Sequence, residues 1–437
     1  MEQQEFQAYC AAHYKKVCKI ALRAGEIMAS HGAEAYRIED TVCRLLKTTG
    51  FSYAEAHVSV TGLFITLSDP SLDREVTLVK RISNRVSDLS QISHANEISR
   101  RFVSGELTIE QAFQEFDALE NKQYYSPFII LLSFVVISSL FTFMFGGYPL
   151  DALASAFVGF FVGIAYLLFG KLKSLGFVRD FLASVVLGIF CILFVYFIPI
   201  GSHLQPIISG SIMPLVPGML LTVAIRDLLH GDYMSGVSRA IEASICAVSI
   251  AAGVSIVAHL FERSHGALLL DTPPTWFTWG KNWLITPEMI FQAGCSFFST
   301  ITFVILFNIE PKHLVPCGIV GAATWFVYYF VIKYVPGIAL SNFFAAVTAS
   351  AISFYMARRL RAPVTIFFTG GIFCMVPGAG IYQTMYYLIG RDLVTGANRF
   401  LNTLEIAALI AIAIAVHTSL DSLLRKHHLK KQSQIKR

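Results

Sequence analysis

The sequence is poor in charged residues and lacks the motifs that would indicate a soluble enzyme. Charged residues make up 14% of its 437 residues and hydrophobic residues 55%, whereas soluble domains carry about 25% charged residues. No G-x-x-x-x-G-K-[ST] sequence occurs, so the chain carries no P-loop ATPase of its own. The composition predicts a polytopic membrane protein, whose surroundings are the lipid bilayer.

Cysteine is absent from every pattern that would support redox or metal chemistry. The eight cysteines form no C-x-x-C pair and no Cys/His spacing typical of a metal site. We therefore expect all of them to be reduced and structural, and we expect no metal and no cofactor.

The first ten residues, MEQQEFQAYC, have neither an apolar core nor a small-residue cleavage site. We therefore expect no signal peptide, and we place residues 1–126 in the cytoplasm. These residues carry more Asp and Glu than Lys and Arg, whereas the rest of the chain is basic. On membrane loops a basic surplus sets orientation, so it does not require a nucleic acid as partner.

Ten apolar stretches approach or exceed the about 20 residues that a helix needs to cross a bilayer. Five fall in residues 127–261 and five in residues 287–437, on either side of an extracytoplasmic loop at 262–286. The stretches are residues 127–146, 150–169, 181–200, 204–226, 238–261, 287–309, 314–332, 338–356, 363–389 and 402–422.

The two halves share a repeated stretch. Residues 210–243 superpose without gaps on residues 370–403, with nine identities that include the Val-Pro-Gly of both copies. Because each half has an odd number of spans, the second half must enter from the opposite side, which is the inverted-repeat plan of secondary transporters. Most Lys and Arg of the loops then lie on the side of residues 1–126, so both termini are predicted to be cytoplasmic.

Residues 1–126 predict a small cytoplasmic α/β domain ahead of these spans. Helices show apolar stripes at helical spacing, and strands show alternating polarity. Thr108 and Gln111 form a capping-box pattern at the start of a later helix. The other predicted elements are helices at 12–31 and 33–48 and strands at 57–61, 63–67 and 75–79.

Proline and glycine interrupt one apolar span in each half. Pro217 and Pro377 cannot donate a backbone hydrogen bond, and each frees a carbonyl four residues earlier. Freed groups in a membrane must be buried in protein or line a wet cavity, so matched broken helices indicate a transporter's central site. The alternative is a pair of kinked helices that only shape the packing.

A zwitterionic substrate would find three kinds of partner near these breaks. Half-helices that begin at Gly218 and Gly378 offer N–H groups to a carboxylate, freed carbonyls accept from an ammonium group, and side chains bind a hydroxyl. Each hydroxyl could instead bond to its own helix. The predicted substrate-binding residues are Ser209, Ser211, Met213, Pro217, Gly218, Thr222, Thr369, Phe373, Pro377, Gly378, Gly380, Tyr382 and Gln383.

Charged residues within or beside the apolar spans form the second group of candidates, because charge is costly there. Glu242 and Glu405 are the best placed to carry a proton, since each begins a span shortly after a repeated arginine. The alternative is an Arg–Glu pair that only locks the helix ends. The candidates for proton coupling or ion pairs are Asp227, Asp232, Arg239, Glu242, Asp392, Arg399 and Glu405.

Three stretches resemble the threonine/serine exporter family. They are HGAEAYRIEDT at residues 31–41, PLVPG at 214–218 followed by IRDL at 225–228 and GD at 231–232, and VPG at 376–378 followed by GIY at 380–382. The resemblance covers nearly the whole chain, in which the two halves are fused. It implies proton-driven export of threonine and serine across a bacterial inner membrane. It also leaves dicarboxylate (succinate) export open, because some members with separate halves are linked to it.

Two other classes of function are weighed against a secondary transporter. A channel would have a wide polar pore in place of two breaks. A membrane-anchored enzyme would need a nucleophile–base set or metal-ligand spacing in residues 1–126, and neither is visible. We therefore expect a transporter, not an enzyme, that moves a small zwitterionic or anionic substrate together with protons. A homo-oligomer is left open.

Overall fold

The computed structural model describes residues 3–70, 75–83, 86–119, 123–170, 176–198, 200–266, 268, 285–335, 337–376 and 378–435. Of residue 3, residue 414 and residues 417–435 it describes the backbone only. Pro377 and most of the predicted loop at 262–286 therefore lie outside the described residues. The chain divides into two compact units, each of which is built from separate segments.

The first unit consists of Met1–Tyr124, Met219–Glu242 and Phe307–Glu310. Its N-terminal part contains a three-stranded antiparallel sheet of order β1-β2-β3, in which Val58 pairs with Leu63 and Ile65 pairs with Leu78. The elements are α1 (Gln3–Ala12), α2 (Tyr14–Ser30), α3 (Ala35–Lys47), β1 (Tyr53–Ser59), β2 (Gly62–Ser68), β3 (Val76–Arg81), α4 (Leu89–Val103) and α5 (Ile109–Leu119).

Local sequence explains where these elements begin and which face they bury. The three strands overlap the three stretches of alternating polarity. The predicted capping box at α5 is confirmed, since the Thr108 N–H donates to Gln111 Oε1 at 2.9 Å and the Gln111 N–H donates to Thr108 Oγ1 at 3.3 Å. Along α3 an apolar stripe is fully buried, and it consists of Ala35, Ile38, Val42, Leu45 and Leu46.

Helices make up the rest of the described chain. Among them, α10 beyond Gly218 and α11 up to Glu242 belong to the first unit, and the remainder form the second. The helices are α6 (Pro127–Met144), α7 (Pro149–Gly170), α8 (Gly176–Ile192), α9 (Leu204–Ile212), α10 (Gly218–His230), α11 (Tyr233–His265), α12 (Pro287–Leu306), α13 (Leu314–Tyr334), α14 (Ile338–Leu360), α15 (Val364–Phe373), α16 (Gly378–Ile389) and α17 (Leu393–Ile435).

Within the described residues, seven helices are long and apolar enough to cross a membrane, and the number rises to nine if each of two bent pairs counts as one span. The chain is therefore a polytopic α-helical membrane protein. Nine of the ten predicted spans correspond to these elements. The tenth, 402–422, lies within α17, whose side chains are described only in part.

Equivalent close contacts recur in the two halves of the chain. Gly159 on α7 lies against Ser138 on α6, and 162 residues later Gly321 on α13 lies against Thr300 on α12. In both places a Cβ on the glycine would collide with the facing side chain, so the helix pair can approach closely only because the residue is glycine. The repeated sequence therefore specifies a repeated packing arrangement.

Candidate functional site

Both predicted helix breaks are present. In the first half α9 ends at Ile212, a short 3₁₀ turn covers Met213–Leu215, and α10 begins at Gly218, with a bend of 62°. In the second half α15 and α16, which begins at Gly378, are bent by 50°. Each break therefore places a new helix N-terminus in the middle of an apolar segment.

Several backbone groups predicted to be free at the breaks are already engaged. The carbonyl of Met213 accepts from the Val216 N–H at 3.2 Å, and that of Phe373 accepts from the Val376 N–H at 3.3 Å. The N–H groups of Gly218 and Gly378 each donate, at 2.8 Å, to the carbonyl two residues earlier. These turns arise because proline prevents the ordinary helical bonds, and they correct the prediction that the carbonyls are free.

The two breaks contact each other reciprocally inside the second unit. A Cβ on Gly218 would lie 3.4 Å from Val376, whereas a Cβ on Gly378 would lie 2.6 Å from Val216. Residues 216 and 376, like 218 and 378, are 160 positions apart, so each break meets the equivalent position of the other. A cavity of about 10 Å³ lies at this junction and is lined by Val216, Gly378 and Tyr382 among others.

The predicted hydroxyl groups are buried near the breaks. Among the described residues, the hydroxyls of Ser211, Thr369 and Tyr382 are enclosed without a hydrogen-bond partner. Ser209 and Thr222 are also buried. A buried hydroxyl without a hydrogen bond costs free energy. A ligand, or a shift of a neighbouring helix, could supply the missing partner for these three.

A larger cavity, of about 230 Å³, opens beside the second break. Three of the predicted site residues, Gly380, Gln383 and Arg399, come together there. A Cβ on Gly380 would lie 2.5 Å from Thr403 Oγ1, so glycine at this position allows α16 to approach α17. The predicted substrate residue Gln383 and the predicted ion-pair residue Arg399 are thus parts of one cavity.

Sequence reasoning missed several residues of this cavity, among them two aromatic rings. Trp325 and Tyr328 are stacked with their centroids 4.8 Å apart, and Trp325 Nε1 donates to Gln292 Oε1 at 3.1 Å, which fixes the ring. Asn342 was detectable as a polar side chain in an apolar span. The polar residues that line the cavity and were not predicted are Asn342, Asn402 and Thr403.

Two of the predicted charges of the first half, Asp227 and Arg239, belong to a buried cluster in the first unit. Arg239 Nε lies 3.1 Å from Asp227 Oδ2, and Asp227 Oδ1 accepts from the Ala35 N–H at 2.9 Å. Asp227 therefore stabilises the N-terminus of α3, where a negative charge is favourable. The arginine of the Arg–Glu alternative therefore contacts Asp227, because a spacing of one turn does not decide which carboxylate an arginine reaches.

A second ion pair of this cluster joins two stretches that resemble family motifs. Arg226 Nη1 donates to Glu34 Oε1 at 2.7 Å, and Arg37 Nη1 lies 3.7 Å from Glu34 Oε2. Both Glu34 and Arg226 are buried. Burial alone would raise the pKa of Glu34, but the guanidinium groups of Arg226 and Arg37 outweigh it and hold the pKa below its ordinary value. Sequence reasoning missed Glu34, although it lies within the family motif.

The remaining predicted charges are distributed over both units. Asp392 is exposed and accepts from the Thr395 N–H at 3.1 Å, so it caps the start of α17, and this hydrogen bonding lowers its pKa. Asp232 and Glu242 are half-buried and Glu405 is exposed. None of these four carboxylates is among the described residues that line the cavity.

Comparison with known proteins agrees with the sequence resemblance. Two models of the threonine/serine exporter family match the chain, ThrE over residues 19–261 and ThrE_2 over residues 292–420. The "Threonine/serine exporter" of Corynebacterium glutamicum is 25% identical over 419 residues, which are 92% of this chain and 80% of that protein. The "Probable threonine/serine exporter" of Mycobacterium tuberculosis is 21% identical over 417 residues, 92% of this chain and 75% of that protein. The "Pheromone-regulated membrane protein 10" of Kluyveromyces lactis is 25% identical over 253 residues, which are 56% of this chain and 26% of that protein. No solved structure matches the chain.

Proposed function

Because the chain belongs to the threonine/serine exporter family, we propose that it exports threonine and serine across a bacterial inner membrane and is driven by protons. The relatives named as threonine/serine exporters support amino-acid export. No relative named here supports succinate, so dicarboxylate export is kept only as an outcome of the test below.

The observation that carries this proposal is the chemistry of the cavity beside the second break. Arg399 offers a guanidinium group that can bind a carboxylate through two parallel hydrogen bonds. The stacked rings of Trp325 and Tyr328 offer π faces that attract an ammonium group. The volume of about 230 Å³ is below the about 300–1,000 Å³ of drug-sized pockets, which suits a smaller ligand.

The amides and the hydroxyl that line the cavity provide partners for the side-chain hydroxyl of such a substrate. Gln383 on α16 and Thr403 on α17 both line the cavity. A site built to bond a hydroxyl discriminates strongly against an analogue without it, because its own polar groups are then left unpaired. We therefore place substrate selection between α16 and α17.

Export is tested by loading cells with threonine- or serine-containing dipeptides, with and without this protein. We expect cells that contain it to release more of the two amino acids and to retain less. Because the proposal involves uphill transport, a protonophore should abolish export against a gradient while downhill efflux continues. Retained threonine and serine that do not change, accompanied by increased release of succinate, would contradict the proposal.

For the membrane arrangement we propose ten spans in two inverted five-helix repeats, with the α/β domain and both termini in the cytoplasm. The reciprocal contacts of the two breaks support this arrangement. A two-fold axis that relates the two halves would bring each break against the equivalent position of the other. The tenth span would be residues 402–422 of α17.

This arrangement predicts that Asp232 and Asp392 lie on opposite sides of the membrane. Each would be replaced by Cys in a variant whose partly exposed Cys43 and Cys246 are changed to Ser, the other six cysteines being buried. A thiol reagent that cannot cross the membrane should label Asp392→Cys in whole cells and Asp232→Cys only after lysis. Labelling of both positions in whole cells would overturn the inverted arrangement.

A further inference from the structure

A carboxylate, an imidazole and a phenol meet between α11 and α16, outside the cavity described above. His259 Nδ1 lies 2.8 Å from Glu262 Oε2, and His259 Nε2 lies 2.9 Å from the carbonyl oxygen of Tyr386. The phenol of Tyr386 donates to Glu262 Oε1, which also accepts from the Leu268 N–H at 3.2 Å. All of these residues belong to the second unit.

The geometry of this cluster requires one bound proton. A carbonyl oxygen only accepts, so His259 Nε2 must carry a hydrogen. The contact between His259 Nδ1 and Glu262 Oε2 then needs one more hydrogen, either on the ring, giving an ion pair, or on the carboxyl group, giving a neutral pair. Both forms have the same charge and hold the same dissociable proton.

Loss of that proton would break the contact. A lone pair on Nδ1 would face a carboxylate oxygen at 2.8 Å, and the interaction would become repulsive. His259 also stacks on the Tyr386 ring, with centroids 4.8 Å apart. A Cβ on Gly390 would lie 2.9 Å from His259 Cε1, so the end of α16 packs directly on the imidazole. Because His259 and Glu262 both lie on α11, the proton holds these two side chains together in the orientation that contacts Tyr386 and packs against Gly390.

Other titratable groups around the pair are mainly phenols. On α16 these are Tyr386 itself, Tyr387, whose ring lies 5.4 Å from that of Tyr386, and Tyr382, which is close enough to interact electrostatically with Glu262. Tyr196, from the segment after α8, is close enough to interact electrostatically with Tyr386. On α11 itself, Arg263 and His265 follow Glu262 within one turn, and both are exposed. Phenols are neutral in the physiological range, so the imidazole and the carboxylate are the groups of the cluster that share the bound proton.

The helix that the pair holds is also a wall of the cavity. α16 carries Gly380 and Gln383 at the cavity, and Tyr386, one turn after Gln383, at the Glu262–His259 pair. A change in position of α16 would therefore change both sites.

We propose that Glu262 and His259 form the proton-binding site that couples proton movement to the position of α16. When the proton is bound, the two side chains are held in the orientation that contacts α16; when it leaves, their repulsion moves them apart, so their hold on α16 weakens and the cavity changes shape. This inference rests on the proposed export function for its physiological role, while the bound proton itself follows from the contacts alone.

The test uses the full-length protein in liposomes with two transport assays. Exchange of labelled for unlabelled threonine needs no net proton movement, whereas accumulation driven by a pH gradient does. We expect Glu262→Gln and His259→Gln to lower gradient-driven accumulation at least 10-fold while exchange stays within about twofold. Asp40→Asn is the control, because it removes an exposed carboxylate that belongs neither to the cavity nor to this cluster, and we expect it to retain both activities.

A pH titration followed by infrared spectroscopy provides a readout that does not depend on transport. In wild-type protein with isotope-labelled histidine, a carboxyl band and an imidazole band should change together, and each variant should lose the coupled change. A histidine that titrates without a carboxyl change would overturn the proposal even if neither variant folds. Full gradient-driven accumulation by Glu262→Gln would also overturn the proposal. The same holds for a loss of accumulation that occurs in Glu405→Gln but in neither Glu262→Gln nor His259→Gln. Absence of threonine exchange in wild type would instead contradict the proposed function and leave the infrared result valid.

Discussion

Replacement of Arg399 by Gln is expected to weaken the binding of threonine and serine by about 10- to 100-fold. Charge-assisted hydrogen bonds contribute about 1.5–3 kcal/mol, and each 1.4 kcal/mol is a factor of ten in affinity. Arg399 is the cation among the described residues that line the cavity, so we expect its loss to leave the substrate carboxylate without a charged partner. The measurement is the concentration dependence of threonine exchange in liposomes.

Two further variants make this result specific. Arg399→Lys keeps the charge but cannot form the two parallel hydrogen bonds, so it should bind with intermediate affinity. Arg391→Gln removes an exposed cation from the turn before α17, away from the cavity, and should bind threonine normally. Equal affinity in wild type and Arg399→Gln would show that the carboxylate is bound elsewhere.

Replacement of Glu34 by Gln is expected to cause the largest loss of stability, about 3–5 kcal/mol, because removing one partner of a buried ion pair leaves the other charge uncompensated. Arg226 is 3% exposed and would lose its 2.7 Å contact with the carboxylate. Thermal unfolding of the detergent-solubilised protein measures the effect. The control is Asp40→Asn, which breaks the exposed Asp40–Arg44 pair of the same helix and should change stability by less than about 1 kcal/mol. Equal unfolding temperatures for the two variants would contradict this account.

The pH dependence of this contribution follows from the direction of the Glu34 pKa shift. Its pKa is lower in the folded protein than its ordinary value, which is about 4.3 in model peptides. The ionised carboxylate therefore stabilises the fold fully above that ordinary value, and the contribution is lost as the pH falls from there through the folded pKa. Wild type should accordingly lose more stability on acidification than Glu34→Gln.

Sequence reasoning succeeded where the signal is local. Alternating polarity located the strands, a three-residue spacing located the capping box, and the repeated Val-Pro-Gly located both breaks. Gly380, Gln383 and Arg399, which line one cavity, belong to the repeated stretch that surrounds the second break, and their role in binding stays a prediction.

It failed where the contact joins distant parts of the chain. Glu34 and Arg226 are separated by 192 residues, and nothing in the periodicity of either helix records their pairing. Trp325 was read as part of an apolar span, and its position on the cavity depends on how α13 packs. The carbonyls at the breaks were misjudged because the tight turns around proline satisfy them locally.

The reciprocal contact between the two breaks also has a consequence for biosynthesis. Gly218 is made 160 residues before Gly378, and at about 5–20 residues per second the interval is roughly 8–32 s. During that time Val216 and Met213 have been synthesised, but the residues that cover them, around Gly378, do not yet exist. The first break must therefore remain in the membrane with its apolar junction uncovered until translation reaches the second. A half produced as a separate polypeptide would keep that surface uncovered until its partner arrived.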